Sequence, residues 1–239
     1  GGGAMVFPVW VPVVVGVIGL GLFIARQFAL QKREAALLDL RTFATPVFTV
    51  SVIMMGISMM AMFGSLILLP IYMQNVLGLD ASQTGLTLLP GGLVMGLMAP
   101  FVGRLFDRFG PTVLLVPGAT LVSGVLWGMT TLDQFTSIYF ILGLHITLSL
   151  GLALMFTPLF TSSLGSLPRH LYSHGSAVIG TIQQVAGAAG IALFVSLMTL
   201  RTADLVADGA EALPAMAQGI QLAFLCGAII SMFAIVAAF

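Results

Sequence analysis

The chain has 239 residues; 59% are hydrophobic and 7% are charged, and eight basic and eight acidic side chains cancel to zero net charge. A soluble domain carries roughly 25% charged residues, and so few charges cannot clothe a chain this long in a polar surface. With a mean hydropathy of +1.14, an ordinary soluble domain is excluded; the neutral balance argues against a nucleic-acid partner, and a lone Cys226 excludes an internal disulfide or a cysteine metal cluster.

The opening residues, GGGAM, do not have the form of a natural start, and no basic stretch precedes the first apolar run as a secretory signal would require. Phe239 closes the chain inside apolar sequence. A piece of a longer chain is therefore expected. About 20 apolar residues cross a bilayer as a helix. Seven stretches qualify: 5–25, 46–73, 84–106, 111–131, 136–164, 175–200 and 219–239. Backbone groups in lipid must bond within their own segment, which makes these helices, and none alternates in polarity as barrel strands do. The expected fold is an all-α integral membrane bundle.

Residues 1–25 form the first span. Segment 26–45, RQFALQKREAALLDLRTFAT, mixes charges with Ala29, Leu30, Leu37, Leu38, Leu40 and Phe43, a pattern that suits an amphipathic helix lying on the membrane. A module boundary falls there, with 46–239 as a six-span bundle. Thr45-Pro46 offers an N-cap and a proline at the first helical position. Asp80 to Gln83 has the form of a capping box. Pro70, Pro90, Pro100, Pro117 and Pro158 fall within or near spans, where membrane helices tolerate kinks. Segment 201–218, with three acids and Pro214, is the longest loop expected on the other side.

Basic residues sort by side. Arg26, Lys32, Arg33 and Arg41 follow the first span, Arg104 and Arg108 the third, and Arg169 the fifth, beside His170 and His174. The alternate loops hold only Arg201, against Asp80, Asp133, Asp204, Asp208 and Glu211. The positive-inside rule puts the first set in the cytoplasm. The amino end of the chain is then outside and the carboxy end inside.

Charge is concentrated in GRLFDRFGPT, residues 103–112. Glycine at Gly103 permits close helix approach, and Gly110 supplies a helix end with positive φ. Asp107 stands near a helix C-terminus, where an acid is disfavoured, and calls for compensation from Arg104 or Arg108 together with the positive amino end of another helix. Within the spans, polar groups are functional candidates. His145 is the one ionisable side chain well inside a span; it either faces a cavity or bonds neutrally across a helix contact. Of Gln183 and Gln184, adjacent on a helix, one can face a cavity while the other meets a helix or lipid. Gly180, Gly187 and Gly190 allow tight small-xxx-small packing, either in a seam that slides or in a static one. Met54, Met55, Met59, Met60 and Met62 give a soft surface, for an adaptable cavity or for lipid.

Six spans after a linker, with Gly103, Leu105, Asp107, Arg108 and Gly110 matching G-x-L-x-D-R-x-G-R/K between the second and third, resemble the major facilitator superfamily. Pro111 replaces the final base, which points to the second-half copy of the motif. LLDLRTF from Leu37, LPIYMQNVLG from Leu69 and LLPGG from Leu88 are similar to phrases of the fourteen-span drug:proton antiporters of the EmrB/QacA type. The resemblance covers nearly the whole chain. It implies that residues 1–25 are the second of two inserted helices and 46–239 the carboxy-terminal bundle of a bacterial inner-membrane exporter. It further implies that Asp107 braces a cytoplasmic gate in one conformation, the bland alternative being that the arginines only anchor topology. His145, Gln183 and Gln184 become candidates for the substrate cavity. A proton gradient supplies the energy, with no cofactor or metal, and the proton-carrying acids lie mainly in an amino-terminal bundle outside these residues. Its expected partners are the bilayer, a small amphipathic substrate and that other bundle. A carrier of lipid, sugar or metabolite and a non-transport scaffold remain alternatives. No phosphate-binding G-x-x-x-x-G-K-[ST] loop is present, and no nucleophile–base–acid set gathers in one zone, so an enzyme is not expected.

Overall fold

The computed structural model describes residues 10–31 and 40–239. Among them are seven helices long and apolar enough to cross a membrane: α1 (Trp10–Gln31), α2 (Pro46–Asn75), α3 (Ala81–Phe109), α4 (Thr112–Met129), α5 (Ile138–Gly165), α6 (Tyr172–Ala207) and α7 (Ala212–Ala238). The all-α membrane architecture expected from composition is thus observed. Short 3₁₀ segments at Leu40–Ala44 and Arg169–Leu171 complete the order.

The helices outrun the apolar windows. Arg26 to Gln31 continue α1 because RQFALQ contains no glycine or proline to stop it. The rest of the expected surface helix, 32–39, lies outside the described residues, and Leu40–Ala44 is a 3₁₀ segment whose Phe43 ring meets Phe48 edge-on at 5.9 Å. The expected 201–218 loop shrinks to residues 208–211, because α6 continues to Ala207 and α7 begins at Ala212. Polar residues such as Asp204 do not end a helix that carries its own backbone bonds beyond the apolar zone. Gly209, at φ 94, makes the turn.

The start signals operate in part. Asp80 accepts from the Gln83 amide at 2.8 Å and its own amide donates to the Gln83 side chain at 3.1 Å, a complete capping box. Thr45 is the N-cap of α2 and Pro46 follows it, but the Thr45 side chain makes no capping bond. Pro111 opens α4 as its N-cap. All five span prolines lie inside helices.

α2 is central, packing on α5, α6 and α7. Further pairs join α3 to α5, α4 to α5 and to α7, and α6 to α7. Leu68, Leu69, Tyr72, Leu126, Phe194 and Phe224 are fully enclosed in this core. Between α4 and α7, Ser123 and Ser231 share a buried hydroxyl–hydroxyl bond of 2.9 Å, which satisfies two polar groups that lipid could not. α1 stands apart, meeting the rest of the chain at the 3₁₀ segment. Valines and leucines along its length are exposed.

Candidate functional site

The charged turn closes α3. Gly110 has φ 83 and its amide bonds to the Phe106 carbonyl, the positive-φ helix end that the sequence called for. Asp107 lies in the last turn of α3 and is exposed. No hydrogen bond or ion pair reaches it among the described residues. Among the described residues, neither Arg104 nor Arg108 forms an ion pair with it. The Arg104 guanidinium instead lies 6.0 Å from the Phe101 ring centre, and that of Arg108 lies 5.2 Å from Phe109, cation–π placements at exposed positions. Asp107 thus makes no direct ion pair among the described residues, at the end of a helix where an acid is disfavoured.

The face above Asp107 is also unused. Gly85, Gly92, Gly96 and Gly103 lie along one side of α3, and a methyl group added at any of them meets nothing within 4 Å. Among the described residues no helix makes use of the close approach that Gly103 permits. The packed side of α3 is a different one, carrying Thr84, Thr87, Gly91 and Val102.

On that packed side Gly91 makes room for His145. A Cβ at Gly91 would strike the imidazole ring and would lie 2.7 Å from the Ser149 hydroxyl oxygen. The His145 ring lies against the Leu88 backbone carbonyl, and its buried Nδ1 has no hydrogen-bond partner. His145 thus occupies the α3–α5 contact, the second of the two positions open to it from sequence. Its link to the LLPGG phrase was hidden, because the two lie 54 residues apart in the chain.

The glutamines divide as adjacent helical positions must. Gln183 donates from Nε2 to the Met55 sulfur at 3.7 Å across the α2–α6 contact. Gln184 is exposed on the outer side of α6. Ser58, on α2, bonds to the Met54 carbonyl at 2.8 Å and approaches the Met155 sulfur of α5 at 3.7 Å. Met54 and Met55 are buried, and Met60 packs on α6. Met54 and Met55 fill helix contacts, whereas half-buried Met60 also lines an apolar cavity of about 380 Å³ between α2 and α6 with Ile53, Ile57, Ile182 and Val185.

The glycine seam of α6 is present with a change of membership. A Cβ at Gly190 would lie 2.6 Å from the Met60 carbonyl oxygen, and one at Gly187 would lie 2.8 Å from the Phe63 ring. Gly180 is not part of it and faces open space; near that end Gly175, Val178 and Ile179 carry the buried face. Sequence reading missed Gly64 and Gly227, which both make room for the Phe194 ring, and the mutual approach of Gly118 and Gly151, where each added Cβ would lie 3.0 to 3.1 Å from the other's carbonyl oxygen. Isolated glycines carry no periodic signal that could have found them.

Among the described residues no group of three His, Cys, Asp or Glu side chains is placed to hold a metal. The layout is that of a membrane bundle with one helix face and one acid left unused, and comparison with known proteins gives it a family. Residues 2–191 match the model of the Major Facilitator Superfamily, and the chain belongs to that family. It is 41% identical over 230 residues to the lincomycin resistance protein LmrB of Listeria monocytogenes, covering 93% of this chain and 48% of that protein. LmrB of Bacillus subtilis is 39% identical over 235 residues, 96% of this chain and 48% of that one. The tetracenomycin C resistance and export protein of Streptomyces glaucescens is 30% identical over 190 residues, 76% of this chain and 34% of that protein. The chain thus spans about half the length, or less, of the curated relatives it matches. These names describe resistance and export, and that of a Bacillus subtilis relative an MFS-type transporter.

Proposed function

We propose that the chain is the carboxy-terminal part of a secondary exporter that moves drugs or other amphipathic small molecules out of a bacterial cell by alternating access. The observation that carries this reading is the identity along almost the whole chain to proteins named for lincomycin resistance. The geometry favours it too. The glycine-lined face of α3 is smooth enough for another helix to lie close against it, and the natural occupant is the amino-terminal bundle. Asp107, without an ion pair among the described residues, sits at the end of that face. In one conformation it takes a partner from the other bundle, and in the other it releases it, which makes the turn a gate. Gln184 and its exposed neighbours on α6 offer polar contacts to a substrate between the bundles. Proton entry supplies the energy, through acids in the other bundle.

The orientation puts Arg104, Arg108 and Arg169 in the cytoplasm, with the amino end of the chain outside. Single cysteines at 104 and 169, in a Cys226→Ala background, are expected to resist a membrane-impermeant thiol reagent until the membrane is opened. The function is tested by ethidium efflux from cells carrying the full-length protein. Efflux should collapse with the proton gradient, and Asp107→Ala should lower it about tenfold at equal abundance, the loss of roughly one charged contact. Undiminished efflux by a normally inserted Asp107→Ala protein removes the gate, and efflux indifferent to the gradient removes the coupling.

A further inference from the structure

At the end of the bundle opposite the 103–110 turn, the structure contains a cavity of about 550 Å³ that none of the roles above employs. It is lined from three sides: Thr130, Asp133 and Gln134 after α4, Arg201 on α6, and Gln218 and Gln221 on α7. Leu222 and Leu225 form its apolar side deeper along α7. In a chain this poor in charge, an acid and a base face one space. They form no ion pair with each other or with any other group among the described residues.

The acid is held in place. Asp133 Oδ1 accepts from the Phe135 amide at 2.8 Å and from the Thr136 hydroxyl at 3.1 Å, while Oδ2 accepts no hydrogen bond. Its backbone is tied down from two helices. The Tyr72 hydroxyl of α2 donates to the Asp133 carbonyl, and Gln221 Nε2 of α7 donates to the neighbouring Leu132 carbonyl at 2.6 Å. A fixed carboxylate facing a free guanidinium across a cavity is complementary to a ligand bearing both charges, and holding it beforehand lowers the cost of binding.

We propose that this cavity binds the phosphoethanolamine headgroup of a membrane phospholipid, the phosphate on Arg201 and the ammonium on Asp133. The depth fits. Arg201 lies six residues before the end of α6, about 9 Å below it along the axis, and the cavity opens between the segment that follows α4 and the first turns of α7. That is the level at which a spanning bundle meets lipid headgroups. Leu222 and Leu225 continue inward as a track for the acyl chains. Asp133 repels an anionic headgroup, and a trimethylammonium has no N–H to give its carboxylate, so the site discriminates by charge and by donor. A phosphoethanolamine free in solution shares the polar chemistry but makes no use of the apolar track.

The test is lipid retention, which is independent of transport. Full-length protein is reconstituted in nanodiscs with equal phosphatidylethanolamine, phosphatidylglycerol and phosphatidylcholine, released, and read by native mass spectrometry. Phosphatidylethanolamine should be enriched on the protein; Arg201→Ala and Asp133→Asn should each cut the enrichment about tenfold, and Arg201→Lys should keep most of it. Gln218→Lys, at an exposed position, should turn the preference toward phosphatidylglycerol while leaving the fold intact. Soluble glycerophosphoethanolamine at millimolar concentration should not displace the lipid. Unchanged enrichment in the folded Arg201→Ala and Asp133→Asn proteins overturns the proposal, as does saturable binding of the soluble headgroup with no lipid enriched.

Discussion

The glycines of α3 and those of α6 look alike in sequence and do different things. Gly187 and Gly190 are occupied from outside, by Phe63 and by the backbone of Met60. Gly85, Gly92, Gly96 and Gly103 lie along one side of α3 with nothing against them. A glycine on a membrane helix lets another backbone come close. Whether one has come is a matter of tertiary structure. The filled glycines lie inside the contacts of this bundle, and the open ones meet nothing among the described residues.

The contrast breaks most visibly at Gly190. Gly190→Val is expected to destabilise the bundle by about 3 kcal/mol, because the new side chain meets the Met60 backbone, which cannot step aside. Reversible unfolding in mixed detergent measures this. A comparable change at Gly96 should leave the stability of these helices within about 0.5 kcal/mol and yet depress efflux by the full-length protein about tenfold. If Gly96→Val alters neither stability nor efflux, the open face of α3 is only lipid-facing surface.

Gly91 lies between the two classes, since what fills it is the movable ring of His145. Gly91→Ala should cost about 2 kcal/mol. Adding His145→Ala should recover at least half of that, because the two changes relieve one another in a double-mutant cycle. Additive losses would mean that the ring and the glycine do not share the space. The smallest effects belong to the polar ties. Ser231→Ala should cost about 1 kcal/mol through the lost bond to Ser123, and Gln183→Leu about 0.5 kcal/mol, since a thioether is a poor acceptor and interhelical bonds in membranes are modest.

The same division runs through what was legible beforehand. The Asp80–Gln83 capping box and the positive φ of Gly110 are local matters, settled within a few residues, and both were readable. The 201–218 loop was misjudged, because polarity marks where lipid ends and not where a helix ends. Gly180 was placed in the seam by spacing alone, whereas the buried face of α6 there passes to Val178 and Ile179. Asp107 was given an arginine partner on proximity in sequence, but Arg104 and Arg108 lie against the Phe101 and Phe109 rings. His145 had two possible surroundings, and only the packing of α5 on α3 chose between them.

By itself, the sequence determined the solvent, the helical class, the number of membrane-length helices and the family. Each follows from sums or from local order: total charge, apolar run length and short phrases. The tertiary structure decided which glycines are filled, which glutamine points inward, that Asp107 meets no partner among the described residues and that Asp133 and Arg201 face one cavity. These depend on which helices lie side by side, and contacts between residues tens of positions apart leave no trace in composition or period.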